Sequence, residues 1–130
     1  MKIQFLLKNT GMFERLGIMT LSSVLKNKGH EVSLVVTEEL TEEDIVKNVK
    51  IHKPHILAYS IMTGEHIYHI ELNQMIRSHY KNALSIFGGP HPTYSPEMIK
   101  KDYVDSICRG EGETYFLEVV ENFVIFIKYS

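Results

Sequence analysis

The amino-acid sequence predicts an α/β fold in which helices cover both faces of a parallel β-sheet. Three observations lead to this prediction. Short apolar runs alternate with helix-like segments along the whole chain. The runs are almost continuously apolar, as expected for strands that are buried on both faces. The segments between them are long enough for the crossovers that parallel strands require.

Five apolar runs are the predicted strands, namely residues 3–7, 32–36, 56–61, 83–87 and 105–108. The third run is expected to be the most central. Five β-α units in succession favour right-handed crossovers and the flavodoxin-like strand order 2-1-3-4-5 of a Rossmann-like sheet. No internal repeat, linker or low-complexity stretch interrupts the pattern, so we expect one domain over residues 1–130.

The first two helices are predicted from apolar spacing and from end signals. The first carries four apolar residues at helical spacing before the stop signal Gly29, namely Ile18, Leu21, Val24 and Leu25. Residues 41–44 have the form of a capping box that opens the second helix. Pro54 is expected to end that helix.

Three further helices are predicted. One begins at Thr63 or Gly64 and carries on one side Tyr68, Leu72, Met75, Ile76 and His79. A short helix starts at residues 95–97, where a serine precedes a proline, and ends near residue 101. The last spans residues 113–126 with the inward positions Phe116, Leu117, Val120 and Phe123.

Composition excludes several classes of function. The formal net charge of -2 leaves no basic surface for nucleic acid. No apolar run approaches the roughly 20 residues that a membrane-spanning helix needs. Cys108 is the one cysteine, which excludes an internal disulfide framework and a zinc site built on several cysteines. We therefore expect a protein of the reducing cytoplasm.

Ligands of such sheets bind beyond the carboxyl ends of the strands, so the loops at residues 9–16, 60–64, 88–94 and 109–113 are the candidate site. The first loop lacks both the P-loop ending and the G-x-G-x-x-G turn of dinucleotide sites. Its Asn9-Thr10-Gly11 segment is compatible with a phosphate cradle or with a plain β-α connection.

The next two loops offer hydroxyl groups and glycines. Ser60 ends a buried strand, where its hydroxyl is available to a ligand, although Ser60 or Thr63 could instead cap the following helix. Gly88 and Gly89 permit close approach of a flat group, or they form a tight turn. His91 lies between two prolines and is either a polar contact or a solvated side chain.

The fifth strand leads into Arg109-Gly110-Glu111-Gly112-Glu113. Acidic residues are favoured in the first turn of a helix by its dipole, and Gly110 and Gly112 let the loop pass close to a ligand. His66 and His69 have the i, i+3 spacing of metal ligands. No third ligand is apparent, so a solvated helix face is the favoured interpretation and no metal site is assigned.

These segments resemble one known family. Residues 16–21 with 29–32, residues 88–93 and residues 105–113 resemble the cobalamin-binding domain of B12-dependent radical SAM proteins. The resemblance extends from about residue 2 to residue 123, and the motifs follow successive strands in the family's order.

A second resemblance concerns the cobalt ligand. The cobalamin domains of methionine synthase and its relatives carry D-x-H-x-x-G, then S-x-L, then G-G. Gly17, residues 60–62 and residues 88–89 match the first glycine and the two later motifs, whereas Met12 and Glu14 stand at the aspartate and histidine positions. This departure implies base-off cobalamin without a histidine on cobalt, as in the radical SAM relatives.

The resemblance also implies roles for individual residues. The dimethylbenzimidazole tail would lie between sheet and helices, with its nitrogen bonded by Ser60 and with space beside it at Gly88 and Gly89. The corrin would lie across the strand ends. The other residues expected to line the cofactor are Thr10, Glu14, Gly17, Thr63, His91, Gly110 and Gly112.

The expected function is that of a corrinoid-binding module in a B12-dependent radical SAM enzyme, with methyl transfer as the reaction of the whole protein. The family's C-x-x-x-C-x-x-C motif is absent from this sequence. The resemblance implies that an iron-sulfur cluster and S-adenosylmethionine belong to a radical SAM barrel that acts in cis or in trans. We expect the chain to correspond to the N-terminal part of a larger protein, and a stand-alone binding domain is the alternative.

Two alternatives remain open and one is rejected. A flavodoxin-like domain that binds FMN or a nucleotide would need a richer phosphate loop than residues 9–11 provide. An interaction domain that has lost its ligand is the other alternative. A receiver-type signalling domain needs acidic residues at the strand ends, but Lys8-Asn9 and Ser60 occupy those positions.

Overall fold

The computed structural model describes residues 1–8, 12–60, 66–88, 100–107, 117–118 and 120–122, with the backbone alone at residues 12–18, 20, 60 and 66. The strands are β1 (Lys2–Leu7), β2 (Glu31–Val36), β3 (Ile56–Ser60), β4 (Leu84–Gly88) and β5 (Ser106–Ile107). The helices are α1 (Met12–Asn27), α2 (Glu42–His52) and α3 (His66–His79). Residues 117, 118 and 120–122 are also helical and are termed the C-terminal helical residues.

All the strand pairs of the sheet are parallel, and the strand order is β2-β1-β3-β4-β5. Helices pack on both faces. The predicted α/β class and strand order are thus confirmed. The parallel arrangement brings the carboxyl ends of the strands to one edge of the sheet, termed the carboxyl edge, and their starts to the opposite amino edge.

The first helix begins earlier than predicted. α1 starts at Met12, so residues 12–16 are helical and do not belong to a ligand-binding loop. Good helix formers occupy this stretch, and Gly17 within it costs a helix only about 1 kcal/mol relative to alanine. Glu14 and Gly17, both predicted cofactor contacts, therefore lie within α1.

End signals in the sequence correctly located the end of α1 and both ends of α2. Gly29 has a φ of +88°, a left-handed conformation that favours glycine, and it follows the end of α1. Thr41 caps α2, because its hydroxyl accepts a hydrogen bond of 3.1 Å from the backbone N–H of Asp44. Lys53, in the left-handed region, and then Pro54 follow the end of that helix.

Each face of the sheet carries its own core. On the side termed the α3 face, α2 and α3 cover buried side chains of the central strands that include Leu6, Leu57, Tyr59 and Phe87. On the side termed the α1 face, α1 and the C-terminal helical residues cover Ile3, Phe5, Leu7, Ala58 and Ile86. The alternation of side chains along each strand produces this division.

Two predictions for α3 were wrong. His79 is exposed, and His69 is buried rather than solvated. The buried side of α3 also carries Asn73 and Arg77 beside the apolar Ile76. His69 was predicted to be solvated because no local pattern in the sequence connects it to its contact Tyr59 on β3.

A polar network connects α3 to other segments, with Asn73, Arg77 and Ser85 buried and Asp105 at its exposed end. Arg77 donates to the carboxylate of Asp105 at 2.8 Å and to the hydroxyl of Ser85 at 3.0 Å. Ser85 in turn donates its backbone N–H to Asp105 at 2.7 Å and its hydroxyl to Asn73 at 2.6 Å. Asn73 donates to the carbonyl of Tyr103 at 2.9 Å. The network joins α3 and β4 to the segment that leads into β5.

Candidate functional site

The last residues of the two central strands meet at the carboxyl edge. Ser60 ends β3, Gly88 ends β4, and the two are partners in the strand register. Gly88 is buried. The structure thus brings together a serine and a glycine that lie 28 positions apart in the sequence, 88 minus 60. This pair is termed the strand-end pair.

Small residues near the strand-end pair are concentrated on the α1 face. Alternation assigns positions 60 and 88 to the same face as Ala58 and Ile86, which are partners one step further from the edge. On the α3 face, Tyr59 and Phe87 fill the corresponding space, since their rings stack with centroids 4.6 Å apart and planes 9° apart. Near the carboxyl edge, β3 and β4 therefore carry bulky rings on the α3 face and small residues on the α1 face.

The helices that pack on the α1 face present apolar side chains to the sheet. α1 contributes Leu21 and Leu25, and the C-terminal helical residues contribute Leu117 and Val120. Leu25 and Val120 are completely buried and lie toward the amino edge, because Glu121, next to Val120, contacts His30 at that edge. The strand-end pair therefore lies at the carboxyl end of an apolar face.

A second group of side chains lies at the carboxyl edge, on the α3 face. Lys8 directly follows β1, Thr37 directly follows β2, and Tyr68 lies in the first turn of α3. The hydroxyls of Thr37 and Tyr68 are 2.7 Å apart, and the Lys8 ammonium lies 5.2 Å from the centre of the Tyr68 ring. Sequence analysis missed this group, although a lysine directly after a buried strand was a visible signal.

The histidines with described side chains lie mostly away from the carboxyl edge. His30 precedes β2, where its ring nitrogens lie 3.2 Å from the Met1 amino group and 3.0 Å from the Glu121 carboxylate. His55 precedes β3 and accepts a hydrogen bond of 3.0 Å from the backbone N–H of Lys2. Both belong to the amino edge.

His69 differs because it lies on the α3 face. Its ring is buried and makes edge contacts with Tyr68, at a centroid distance of 5.2 Å, and with Tyr59, at 6.1 Å. No group of three or more histidine, cysteine or acidic side chains suited to a metal ion occurs within the described ranges. The possible pairing of His66 with His69 in a metal site therefore gains no support from the described residues.

The ten residues predicted to line a cofactor divide into three groups. Ser60 and Gly88 are paired at the carboxyl edge, and Glu14 and Gly17 lie in α1. The others lie outside the described residues, namely Thr10, Thr63, Gly89, His91, Gly110 and Gly112. The roles of all ten remain predictions.

The strand order and the strand-end pair define an α/β domain of the class that binds ligands beyond the carboxyl ends of its parallel strands. The sequence profile of the family described as B12 binding domain matches residues 6–120 of this chain. The chain belongs to that family. The predicted resemblance and the predicted cofactor, cobalamin, are thereby confirmed at the level of the family.

This chain is similar to two curated relatives and to one solved structure. It is 30% identical over 110 residues to an uncharacterized methyltransferase of Pyrococcus horikoshii, an alignment that covers 82% of this chain and 24% of the relative. It is 32% identical over 111 residues to an anaerobic magnesium-protoporphyrin IX monomethyl ester cyclase of Synechocystis, covering 81% of this chain and 22% of the relative.

The structural match is to OxsB, a cobalamin-dependent S-adenosylmethionine radical enzyme, in its apo form. The TM-score is 0.74 at 25% sequence identity, and the match covers 94% of this chain and 18% of OxsB. The domain is therefore related to those of cobalamin-dependent radical SAM enzymes. It spans about a quarter of the length of the two curated relatives. Among the described helices, none has the length and apolar character needed to cross a membrane.

Proposed function

We propose that this chain binds cobalamin as the corrinoid-binding module of a B12-dependent radical SAM enzyme, with methyl transfer as the reaction of the complete protein. The observation that carries the proposal is the strand-end pair, in which Ser60 and Gly88 are register partners at the carboxyl edge of an apolar face. When bound, the corrinoid supplies the cobalt chemistry, whereas the chain supplies its position and surroundings.

In this proposal the α1 face receives the nucleotide tail. The Ser60 hydroxyl donates a hydrogen bond to the free nitrogen of dimethylbenzimidazole. Gly88, together with Gly89, leaves the space that the ring occupies.

The corrin is proposed to bind base-off, without a histidine on cobalt. Met12 and Glu14 stand where the methionine synthase family carries aspartate and histidine, and both lie within α1. His30 and His55 are held at the amino edge by bonds of 3.2 Å or less, too far away to reach a corrin on the carboxyl edge. A carboxylate is a poor ligand for low-valent cobalt, so Glu14 does not replace the imidazole.

The rest of the reaction is assigned to a radical SAM barrel. This sequence contains a single cysteine, so a cluster held by three cysteines has to come from another segment or another chain. Residues 1–130 then act as the N-terminal, corrinoid-binding domain of the assembly. The partial coverage of the curated relatives supports this arrangement.

Binding of hydroxocobalamin under reducing conditions tests the proposal. The purified chain should retain a coloured corrinoid through gel filtration, and Ser60→Ala should weaken binding about tenfold, the cost of one buried hydrogen bond. Ser23→Ala, an exposed serine on α1, is the matched control. Failure to retain the corrinoid would contradict the proposal, and uptake of FMN instead would establish the flavodoxin-like alternative.

Gly88→Leu tests the space at the strand ends. The larger side chain should abolish tail binding while lowering the free energy of unfolding by only about 1–3 kcal/mol, the usual cost of overpacking. Equal losses of binding and stability would mean that Gly88 is required by the fold alone.

Electron paramagnetic resonance of the Co(II) form tests the ligand. Base-off cobalamin without histidine gives cobalt lines that lack nitrogen superhyperfine splitting. Splitting that disappears in His91→Ala would show imidazole ligation and would overturn this part of the proposal.

A further inference from the structure

The group formed by Lys8, Thr37 and Tyr68, termed the lysine corner, has no role in the proposal above. Its three side chains come from three different elements that meet at the carboxyl edge. Backbone bonds fix the elements there, because Thr37 and Glu38 donate to the carbonyls of Leu7 and Lys8 at 2.7 Å and 3.0 Å. Backbone hydrogen bonds of the sheet edge thus hold the segments that carry the lysine corner.

The hydrogen bonds of the lysine corner have a defined direction. The Thr37 hydroxyl donates to the carbonyl of Leu7 at 3.1 Å, which uses its single proton. The contact of 2.7 Å with Tyr68 therefore has the Tyr68 hydroxyl as donor. Thr37 is 2% exposed, so this bond is shielded from water and holds the Tyr68 ring in place. The ring is in turn the platform on which the Lys8 ammonium rests, 5.2 Å from its centre.

The ammonium of Lys8 retains its capacity to donate. It carries three N–H donors, and a contact with the face of a ring uses none of them in a directed hydrogen bond. The ion pairs found among the described residues join His30 to Glu121 and Arg77 to Asp105, so neither involves Lys8. Lys8 is half-buried and stands at the end of a strand where ligands bind in this class of sheet.

The lysine corner and the strand-end pair lie on opposite faces of the sheet. Lys8 continues the alternating series of Gln4 and Leu6, and Tyr68 packs on the core of the α3 face. Positions 60 and 88 belong to the α1 face. A ligand whose tail enters the α1 face and whose ring lies across the edge therefore meets Lys8 with its ring and not with its tail.

We infer that Lys8 donates a hydrogen bond to a primary-amide oxygen on the periphery of the corrin ring. This inference rests on the proposed function and adds a subsite for the ring to the site for the tail. The ring periphery carries several primary amides, whose oxygens accept from an ammonium group. Tyr68 and Thr37 act as positioning residues, because they hold Lys8 at the edge without contact with the ligand.

Binding measurements with two corrinoids distinguish the subsite for the ring from the site for the tail. Cobalamin carries the nucleotide tail, whereas cobinamide has the same amide-bearing ring without that tail. Lys8→Met should weaken binding of both by a similar factor of roughly tenfold, the cost of a charge-assisted hydrogen bond. Ser60→Ala should weaken binding of cobalamin alone. Lys26→Met, an exposed lysine in the last turn of α1, is the matched control and should change neither affinity.

Two further variants keep the test independent of folding. Lys8→Arg retains donors at the same place and should bind both corrinoids nearly as the native chain does. Tyr68→Phe keeps the ring but loses the bond to Thr37, so it should weaken both corrinoids less than Lys8→Met. Urea unfolding of each variant shows whether the fold is retained.

The outcomes distinguish the two proposals. If the native chain binds cobalamin but Lys8→Met binds both corrinoids as tightly, the ring subsite is wrong and the proposed function stands. If Lys8→Met weakens cobalamin but not cobinamide, the contact is to the tail and the inference is equally overturned. If the native chain binds neither corrinoid, the proposed function and the subsite fall together. Parallel losses for both corrinoids, with Lys8→Arg restoring them, support the inference.

Discussion

The two faces of the sheet use the same strands but different side chains. On the α3 face, β3 and β4 present the stacked rings of Tyr59 and Phe87, and the polar network of α3 lies beside them. On the α1 face, the same strands present Ala58 and Ile86 against aliphatic side chains of the helices. Near the carboxyl edge, one face of the central strands therefore carries bulky rings and the other carries smaller residues.

The difference shows that the two faces of one sheet are held by different interactions, directed hydrogen bonds on one and apolar packing on the other. Directed hydrogen bonds on the α3 face fix α3 and the segment before β5 at defined positions. Apolar packing on the α1 face is non-directional and fixes the positions of its elements less strictly. Substitutions in the polar network of the α3 face should therefore cost stability, whereas substitutions at the carboxyl ends of the strands should cost binding.

The largest effect is expected for Arg77→Met. The Arg77 side chain is 8% exposed, and its loss removes the hydrogen bonds to Asp105 and Ser85. The Asp105 carboxylate then lacks its cationic partner. Because the Asp105 side chain is 30% exposed and water screens the carboxylate, the free energy of unfolding should fall by about 2 kcal/mol. Urea denaturation measures this value.

A double variant checks that the loss comes from the pair. Arg77→Met combined with Asp105→Asn should be less destabilised than the sum of the single variants, because the second change removes the uncompensated charge. A loss below about 1 kcal/mol in Arg77→Met would mean that the network does not anchor the α3 face, and the contrast between the faces would fail.

The next largest change in stability is expected from a comparison of two tyrosines. Tyr80 donates its hydroxyl to the carbonyl of Pro54 at 2.9 Å, whereas the buried Tyr59 hydroxyl has no hydrogen-bond partner among the described residues. Tyr80→Phe should lose about 1 kcal/mol of unfolding free energy. Tyr59→Phe should be neutral or stabilising, because it removes a buried polar group. A larger loss of unfolding free energy in Tyr59→Phe than in Tyr80→Phe would contradict this prediction.

Measurements of stability at alkaline pH provide a further test of the buried Tyr59 hydroxyl. Burial raises the pKa of Tyr59 well above its ordinary value of 10.0. As pH rises past that value the unfolded chain releases the proton and the folded chain keeps it, so stability is present below about pH 10 and is lost above it. Between pH 9 and pH 11 the native chain should lose about 1 kcal/mol more than Tyr59→Phe in urea denaturation. Parallel curves would show that Tyr59 ionises normally in the fold.

The smallest effect is expected at the amino edge, away from both faces. Burial, together with the positive charges of the Met1 amino group and Lys2, lowers the pKa of His55 below 6.5, and Glu31 opposes the shift. The unfolded chain therefore takes up the proton first as pH falls. The contribution of His55 to stability is complete above pH 6.5 and is lost as pH falls through the folded pKa.

His55→Asn should consequently reduce the loss of stability between pH 7.5 and pH 5.5, since asparagine does not titrate in that range. Nuclear magnetic resonance of the His55 ring protons should give a midpoint below 6.5. A midpoint above that value would contradict the prediction and would indicate that the carboxylate of Glu31 dominates.

Local signals in the sequence determined the outline of the fold. Apolar runs of strand length, separated by crossover-sized segments, predicted the parallel sheet and its order, and Gly29 and Thr41 marked helix ends through their own backbone and side-chain chemistry. The order of motifs along these strands also identified the family. Strand order alone assigns Ser60 and Gly88 to one edge, because the carboxyl ends of parallel strands coincide.

Only the tertiary structure decided which polar side chains are buried. His69, Asn73 and Arg77 lie on α3 at a spacing that looks solvated in the sequence, and their burial depends on partners such as Ser85 and Asp105 that no local pattern connects to them. The same holds for Lys8, whose position above Tyr68 joins residues 60 positions apart, 68 minus 8. Periodicity determines which face of an element is apolar, but whether a polar group can be buried depends on donors and acceptors supplied by distant segments.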